Sequence, residues 1–261
     1  MDIRSYNRDA WNREVEGKAN PWTQPATPDI IARAREGDWS VLLTESLPVP
    51  REWFPPLEGL EILCLASGGG QQGPILAAAG AKVTVYDNSP AQLAQDRLVA
   101  EREGLDLSLI EGDAADLSAF ADACFDLVFN PVSTLFMPDV RAVWKEAARV
   151  MRPGAALLAG LMNPVAYMFD FPKLDAGILQ VAHSIPYSDV KDLSKRELDA
   201  IMEQGYPLEF GHSLTNLLGG QLDAGLVLTA MYEDYKTDSP LSNFHPAYLA
   251  TRAVRPRAPV E

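Results

Sequence analysis

The chain is predicted to be an α/β protein: a seven-stranded, mostly parallel sheet with a C-terminal antiparallel hairpin and a cap. Three observations predict it. Apolar runs of strand length alternate with helix-length segments over residues 61–161, the pattern of a parallel sheet joined by crossover helices. The first apolar run ends in a glycine-rich turn, Ser67-Gly68-Gly69-Gly70-Gln71-Gln72-Gly73, which opens a helix-like segment. The chain finishes on two more strand-like runs separated by a polar loop, which suits an antiparallel pair.

Residues 1–60 form a polar, aromatic-rich lid and linker that holds four of the five tryptophans, Trp11, Trp22, Trp39 and Trp53. Pro21, Pro25 and Pro28 interrupt it, so its helices are expected to be short. One is expected over 29–36, with Pro28 at its start and Gly37 after its end. Pro48, Pro50, Pro55 and Pro56 make an extended linker into the first strand. The α/β core, residues 61–161, is expected to place strands at 61–66, 82–86, 107–111, 125–130 and 155–161. Helices are expected between them at 72–79, 90–103 and 140–151, and Arg152-Pro153-Gly154 reads as a turn. Residues 162–212 break the rhythm with scattered proline, glycine and aromatic residues. An insertion of that length reads as a cap. A strand is expected there at 178–184, and a helix at 193–204 where Ser194 and Glu197 have capping-box spacing. Residues 213–261 then complete the core sheet, with a helix at 213–222 and strands at 226–232 and 248–254.

A net charge of -14 repels phosphate backbones, which argues against a nucleic-acid partner. The two cysteines, Cys64 and Cys124, sit in apolar surroundings and read as buried free thiols, in keeping with a reducing cytoplasm. The amino terminus lacks an apolar signal-peptide core, and no run reaches the roughly 18 apolar residues of a membrane span. A cytoplasmic protein without a membrane partner is therefore expected. No histidine or cysteine pair has metal-ligand spacing, so no metal is expected.

The glycine turn and the acid that follows it point to a nucleoside-containing cofactor. Glycines at the end of a first strand let a ligand approach the backbone. Asp87, at the end of the second strand, can accept both hydroxyls of a ribose. Gly68, Gly70 and Gly73 match G-x-G-x-x-G. These features alone suit NAD, FAD or S-adenosylmethionine. Three others narrow the choice. A second acidic segment, Glu111 to Leu117, follows the third strand. The fourth strand opens from Asn130 directly into Pro131-Val132-Ser133. The chain closes on two strands in place of a separate catalytic domain.

In that combination the chain resembles the class I S-adenosylmethionine-dependent methyltransferases, over residues 60–161 and more loosely over 213–254. It is similar to a group of bacterial small-molecule methyltransferases through Leu65-Ala66-Ser67-Gly68-Gly69-Gly70-Gln71-Gln72, and through Asp87-Asn88-Ser89-Pro90 followed by Gln92-Leu93. The resemblance implies a Rossmann-like fold and S-adenosyl-L-methionine as cofactor. It implies that Ala66, Ser67, Gly68, Gly69, Gly70 and Gln72 line the methionine part, and that Asp87 holds the ribose. Asn88 and Gln92 would lie beside the nucleoside, Asp113 would meet the adenine amino group, and Ala114 would offer a backbone donor. Asn130 would face the cofactor amino group or the methyl-transfer centre. Many members carry an acid two residues before the first glycine, where this chain has Ala66. Ammonium recognition is therefore expected from backbone carbonyls or from Gln71, Gln72 or Asn130.

The implied reaction is in-line methyl transfer to a small-molecule acceptor, with positioning as the main catalytic effect. A base is needed only for an acceptor that arrives protonated. His183 and His212 are the candidates for a base or a substrate contact, while His245 reads as structural. Asn130-Pro131-Val132-Ser133 lacks the second proline and the aromatic of the amino-methyltransferase motif, so it does not imply N-methylation. Tyr6, Trp11 and Trp22 are expected to fold over the cofactor and place an aromatic near the sulfonium. The cap residues Tyr167, Met168, Phe169, Phe171 and Tyr187 favour an apolar or aromatic acceptor. The alternatives are an NAD-dependent oxidoreductase, a cofactor-binding regulatory module without catalysis, and an enzyme that uses the sulfonium for other chemistry.

Overall fold

Alternation along the first strand organises the molecule. In β1 (Glu61–Leu65), Ile62 and Cys64 join the buried cluster on one face of the sheet, Leu63 and Leu65 the cluster on the other. A strand buried on both faces shows a continuous apolar run and needs a layer on each side. The computed structural model describes residues 1–257. Its further strands are β2 (Lys82–Asp87), β3 (Leu107–Glu111), β4 (Phe125–Asn130), β5 (Met151–Met162), β6 (Tyr187–Ser188), β7 (Phe210–Gly211), β8 (Val227–Asp234) and β9 (Tyr248–Val254). Seven of them form one sheet in the order β3-β2-β1-β4-β5-β9-β8, and β6 pairs with β7 apart from it. The first five are parallel, while β9 runs antiparallel to both β5 and β8. The strand order reverses between β1 and β4, and ligands of open α/β sheets bind at the strand carboxyl ends beside such a reversal.

The helices are α1 (Ile3–Gly17), α2 (Pro28–Arg35), α3 (Gln72–Ala78), α4 (Pro90–Glu103), α5 (Val140–Val150), α6 (Phe171–Asp175), α7 (Asp189–Asp192), α8 (Lys195–Gln204) and α9 (Gly220–Asp223). Ile31 of α2, Leu76 of α3 and Leu93 and Val99 of α4 pack with Ile62 and Cys64. Val143, Trp144 and Ala147 of α5 pack on the opposite face with Leu63 and Leu65. Ser194 and Glu197 close the capping box of α8. The Arg152-Pro153-Gly154 turn lies within β5: pairing jumps from Phe125↔Met151 to Leu127↔Ala156, and Gly154 takes φ 92°.

Three expectations need correction. The lead-in is not confined to short helices, because α1 has 15 residues. It begins on Asp2, whose side chain accepts the Ser5 N–H, and it ends before the first proline is reached. Nor are residues 26–57 only a linker. Ile31, Val41, Leu43, Val49, Trp53 and Leu57 are buried against the sheet, and Val132 N–H donates to the Leu43 carbonyl at 2.9 Å. Finally, residues 178–184 do not form a strand. They make one isolated bridge, Phe169↔Val181, and Ile178 and Val181 are exposed, so no neighbouring strand supplies a ladder.

Candidate functional site

The glycine turn follows β1 directly, in a backbone conformation that few residues tolerate. Gly69 has φ 121° and Gly70 φ 76°, and Ala66 is held at φ 46°. The Gly68 N–H donates to Asp87 Oδ2 at 2.8 Å, while Ser89 N–H donates to Asp87 Oδ1 at 2.9 Å. A Cβ on Gly68 would come within 2.7 Å of Gln92 Cβ and 3.1 Å of Asp87 Oδ2. The turn, the end of β2 and the start of α4 therefore close on one another through that glycine. Burial raises the Asp87 pKa, and the Ser89 and Gly68 amides pull it back.

Sequence reasoning missed a second carboxylate. Asp96, fully buried on α4, accepts the Gly69 N–H through Oδ2 at 3.0 Å. Burial pushes its carboxyl up to about 8. Its only signal was local: Gln92 and Asp96 stand one helical turn apart, on the face that also buries Leu93 and Val99.

Four buried side-chain oxygens around the turn have no hydrogen-bond partner: Ser67 Oγ, Gln92 Oε1, Asp96 Oδ1 and Asn130 Oδ1. Asn130 is fully buried, and its Nδ2 donates to the Leu65 carbonyl at 2.8 Å and to Ser133 Oγ at 2.9 Å. That fixes the amide and leaves its oxygen as a free acceptor. Leaving a buried polar atom unpaired costs on the order of 1–3 kcal/mol. Ser67 Oγ and Asn130 Oδ1 at the carboxyl ends of β1 and β4, with Gln92 Oε1 in the first turn of α4, are suited to a polar ligand.

The lead-in covers this end of the sheet. Ser89 Oγ and Ala91 N–H donate to Asn12 Oδ1 at 2.7 and 3.2 Å. Arg4 Nε donates to Asn88 Oδ1 at 3.2 Å and lies 3.6 Å from Asp113 Oδ2. Asp113 Oδ1 accepts the Ala115 N–H at 2.9 Å, and Ala114 between them is buried. Residues 20–26 strap the turn itself: Gln71 Nε2 donates to the Pro21 and Gln24 carbonyls, both at 2.7 Å, and Ala26 N–H donates to the Gly70 carbonyl at 2.8 Å. A Cβ on Gly69 would strike the Trp22 carbonyl. Gln72 turns to the lead-in too, accepting the Leu42 N–H at 3.1 Å. Gln71 and Gln72 are thereby engaged in holding the strap and linker.

The three lead-in aromatics part company. The Trp11 ring meets Phe136 edge-on at 5.1 Å, beyond the end of β4. Tyr6 Oη donates to the Tyr206 carbonyl at 2.9 Å, so it reaches the cap. The Trp22 side chain is 37% exposed, and it is this residue's carbonyl that meets the turn.

The two candidate histidines also separate. His212 is buried, with Nε2 3.2 Å from the Thr134 carbonyl and 2.9 Å from that of Met137. Between two carbonyls Nε2 carries the hydrogen, which fastens the cap to the segment after β4 and leaves Nδ1 as the nitrogen with a lone pair. Burial lowers the His212 pKa. The His183 ring packs 4.9 Å from Tyr187 and 6.4 Å from Phe171. Beside it stand two tyrosine–carboxylate pairs: Tyr167 Oη donates to Glu209 Oε2 and Tyr187 Oη to Asp189 Oδ1, each at 2.7 Å. Glu209 N–H donates to Asp189 Oδ2 at 2.7 Å, linking the pairs. Burial pushes Glu209 up to about 7. Tyr232 and Lys236 have the Tyr-x-x-x-Lys spacing of a hydride-transfer pair, but Tyr232 lies on β8 at the sheet edge and its Oη donates to the Leu47 carbonyl.

A family model described as a methyltransferase domain matches residues 63–159. The uncharacterized methyltransferase YbaJ of Bacillus subtilis is 47% identical over 251 residues, 96% of this chain and 98% of that protein. An S-adenosylmethionine-dependent methyltransferase of Mesorhizobium loti superposes with a TM-score of 0.60 at 19% identity, over 78% of this chain and 95% of its own. The [4+2]-cyclase SpnF does so with a TM-score of 0.52 at 16% identity, over 77% of this chain and 76% of its own. The two solved structures establish a shared fold, and a fold by itself does not choose a reaction.

Proposed function

Because the chain belongs to the S-adenosylmethionine-dependent methyltransferases, we propose that it methylates a small molecule held between α1, the segment after β4 and the cap. The observation that carries this reading is the set of unpaired buried oxygens, Ser67 Oγ, Gln92 Oε1 and Asn130 Oδ1, around a turn whose glycines admit a ligand to the backbone. They fit the cofactor's donors. Asp87 is placed to accept ribose hydroxyls, with Asn88, Asp113 and Ala114 beside the nucleoside. Ser67 and Asn130 supply the acceptors for an ammonium group that Ala66 cannot. When bound, S-adenosylmethionine supplies a methyl carbon already activated by its sulfonium. The protein's residues then need only orient the reactants and exclude water.

Phe136, Tyr167 and Tyr187 pack with Leu135 and Phe171 in one apolar cluster of the cap and the segment after β4, which supports an acceptor with apolar or aromatic surface. The acidic surface disfavours nucleic acid. Glu209, hydrogen-bonded to Tyr167 and tuned near neutrality, has the chemistry of a proton acceptor for an acceptor that arrives protonated.

Calorimetric titration of S-adenosylmethionine, S-adenosylhomocysteine and NAD into wild type and Asp87→Ala tests the reading. Binding of the two sulfur nucleosides, lost in the variant, is the expected result. Binding of NAD alone would overturn it. A screen of phenols, amines and thiols for S-adenosylhomocysteine release then defines the acceptor.

A further inference from the structure

Two neighbouring amides of the glycine turn are held by two different carboxylates. Gly68 N–H goes to Asp87 on β2, and Gly69 N–H to Asp96 on α4, which shares it with the Gln92 carbonyl at 3.2 Å. The two acids differ in setting. Asp87 stands at the strand end where a ribose is to be bound, and two amides serve it. Asp96 lies beneath the turn, with 0% of its surface exposed and Oδ1 without a partner. On β1 it faces the Cys64 thiol, which burial keeps protonated. On β2 it faces Asp87, from the turn the Gly69 and Gly70 amides, and on its own helix the unpaired Gln92 Oε1. On α3, a Cβ at Gly73 would sit 3.5 Å from its Oδ1. Among the described residues no cation pairs with it. A buried carboxylate with no counter-charge, beside a second acid, takes up a proton. Environments that separate two acids in this way divide their roles.

We propose that Asp96 is a positioning residue of the cofactor site: it holds the Gly69 amide from beneath and so sets the backbone on which the cofactor rests, and as an anion beside Asp87 it weakens cofactor binding at alkaline pH. The proposal rests on reading the turn as the cofactor site. Ala66, two residues before Gly68, carries no carboxylate, and α4 brings one to the turn from its buried side. Ionised Asp96 accepts the turn amides more strongly but repels Asp87, so the two acids that hold Gly68 and Gly69 pull apart. The displacement falls on Gly69 and Gly70, which keep positive φ values.

The test is calorimetric titration of S-adenosylhomocysteine, from about pH 6 to about pH 9.5, into wild type, Asp96→Asn and Asp96→Leu, with thermal melts to confirm folding. Asparagine keeps a side-chain oxygen for the Gly69 amide and cannot ionise; leucine leaves that amide the Gln92 carbonyl alone. Wild-type affinity is expected to fall about tenfold or more relative to Asp96→Asn as pH rises through the upper half of that range. Asp96→Leu is expected to bind weakly throughout. The ligand's own amine titrates equally against all three proteins and cancels from the ratios. A wild-type profile parallel to that of Asp96→Asn overturns the proposal, and so does wild-type affinity in a folded Asp96→Leu. Either of those failures leaves ligand binding intact. Absence of binding at every pH instead removes the cofactor reading and this inference with it.

Discussion

Replacing Asn7 by alanine should release α1 from the rest of the molecule. Asn7 is 4% exposed, and its amide is fully used. Nδ2 donates to the Phe136 carbonyl at 2.8 Å and to the Leu208 carbonyl at 2.9 Å, and Oδ1 accepts the Leu208 N–H at 2.8 Å. One side chain thus joins α1, the turn after β4 and the approach to β7. A typical hydrogen bond contributes about 0.5–1.5 kcal/mol net, so three set a loss of roughly 2–4 kcal/mol. Orphaning the Leu208 amide and carbonyl adds to it wherever water cannot reach them. Because α1 is a peripheral element, much of the loss should appear as local opening. Hydrogen exchange of α1 amides is the direct assay, and urea unfolding gives the global part. Exchange in α1 should quicken by a factor of ten or more, since about 1.4 kcal/mol is tenfold, while amides of β1 and β4 keep their protection. Unchanged exchange in α1, with a global loss below about 0.5 kcal/mol, would refute the hub role. Affinity for S-adenosylhomocysteine should fall in parallel, because the same helix holds Asn88 and Ser89 through Arg4 and Asn12.

Three further outcomes are expected. Asp96 has its pKa raised from 3.8 to about 8 on folding, so the native state holds a proton that the unfolded chain releases between those values. Wild type should therefore lose stability as pH rises through that window, by up to about 1.4 kcal/mol per pH unit, and Asp96→Asn should lack this contribution in urea melts at successive pH values. Glu209→Gln should leave S-adenosylhomocysteine affinity unchanged. Wild type should methylate faster as pH passes about 7, where Glu209 becomes ionised, and the variant should lack that rise. Gly160→Ala should destabilise strongly, by about 1–3 kcal/mol or more, since its Cβ meets the Leu43 carbonyl and lies 2.9 Å from the Val132 nitrogen. Thermal unfolding measures it.

The sheet was legible because parallel strands carry their signal in few residues. Ile62-Leu63-Cys64-Leu65 and Leu127-Val128-Phe129 are apolar on both faces, and only a strand covered on both sides explains such short runs. The glycine turn was legible for a similar reason: Gly69 and Gly70 have positive φ, which other residues seldom adopt. The lead-in was harder to read. Leu43 and Trp53 look like isolated apolar residues among prolines, and only the sheet face above Ile62 and Phe129 makes them core. The exposed run at 178–184 erred in the opposite direction, because strand-like residues without a neighbouring strand gain nothing from being extended.

The site shows the same division more sharply. Asp87 could be placed beside the glycine turn from sequence because its distance from the glycines is set by one crossover, β1-α3-β2, and crossover lengths vary little. Asp96 could not, since an acid in the middle of α4 reads as a solvated helix residue until the fold turns that face toward Gly69. Asn7 and Glu209 are missed for the same reason at longer range: their partners lie at Leu208 and Tyr167, and no local pattern encodes those distances. His212 is the converse case. Its residue type suggested chemistry, and the packing adds a structural task, since the carbonyls of Thr134 and Met137 hold its Nε2. Backbone-determined roles are thus readable one segment at a time. Roles that depend on a buried side chain meeting a distant amide or carbonyl require the packing, and it is those roles, at Asp96, Asn7 and Glu209, that the proposed experiments address.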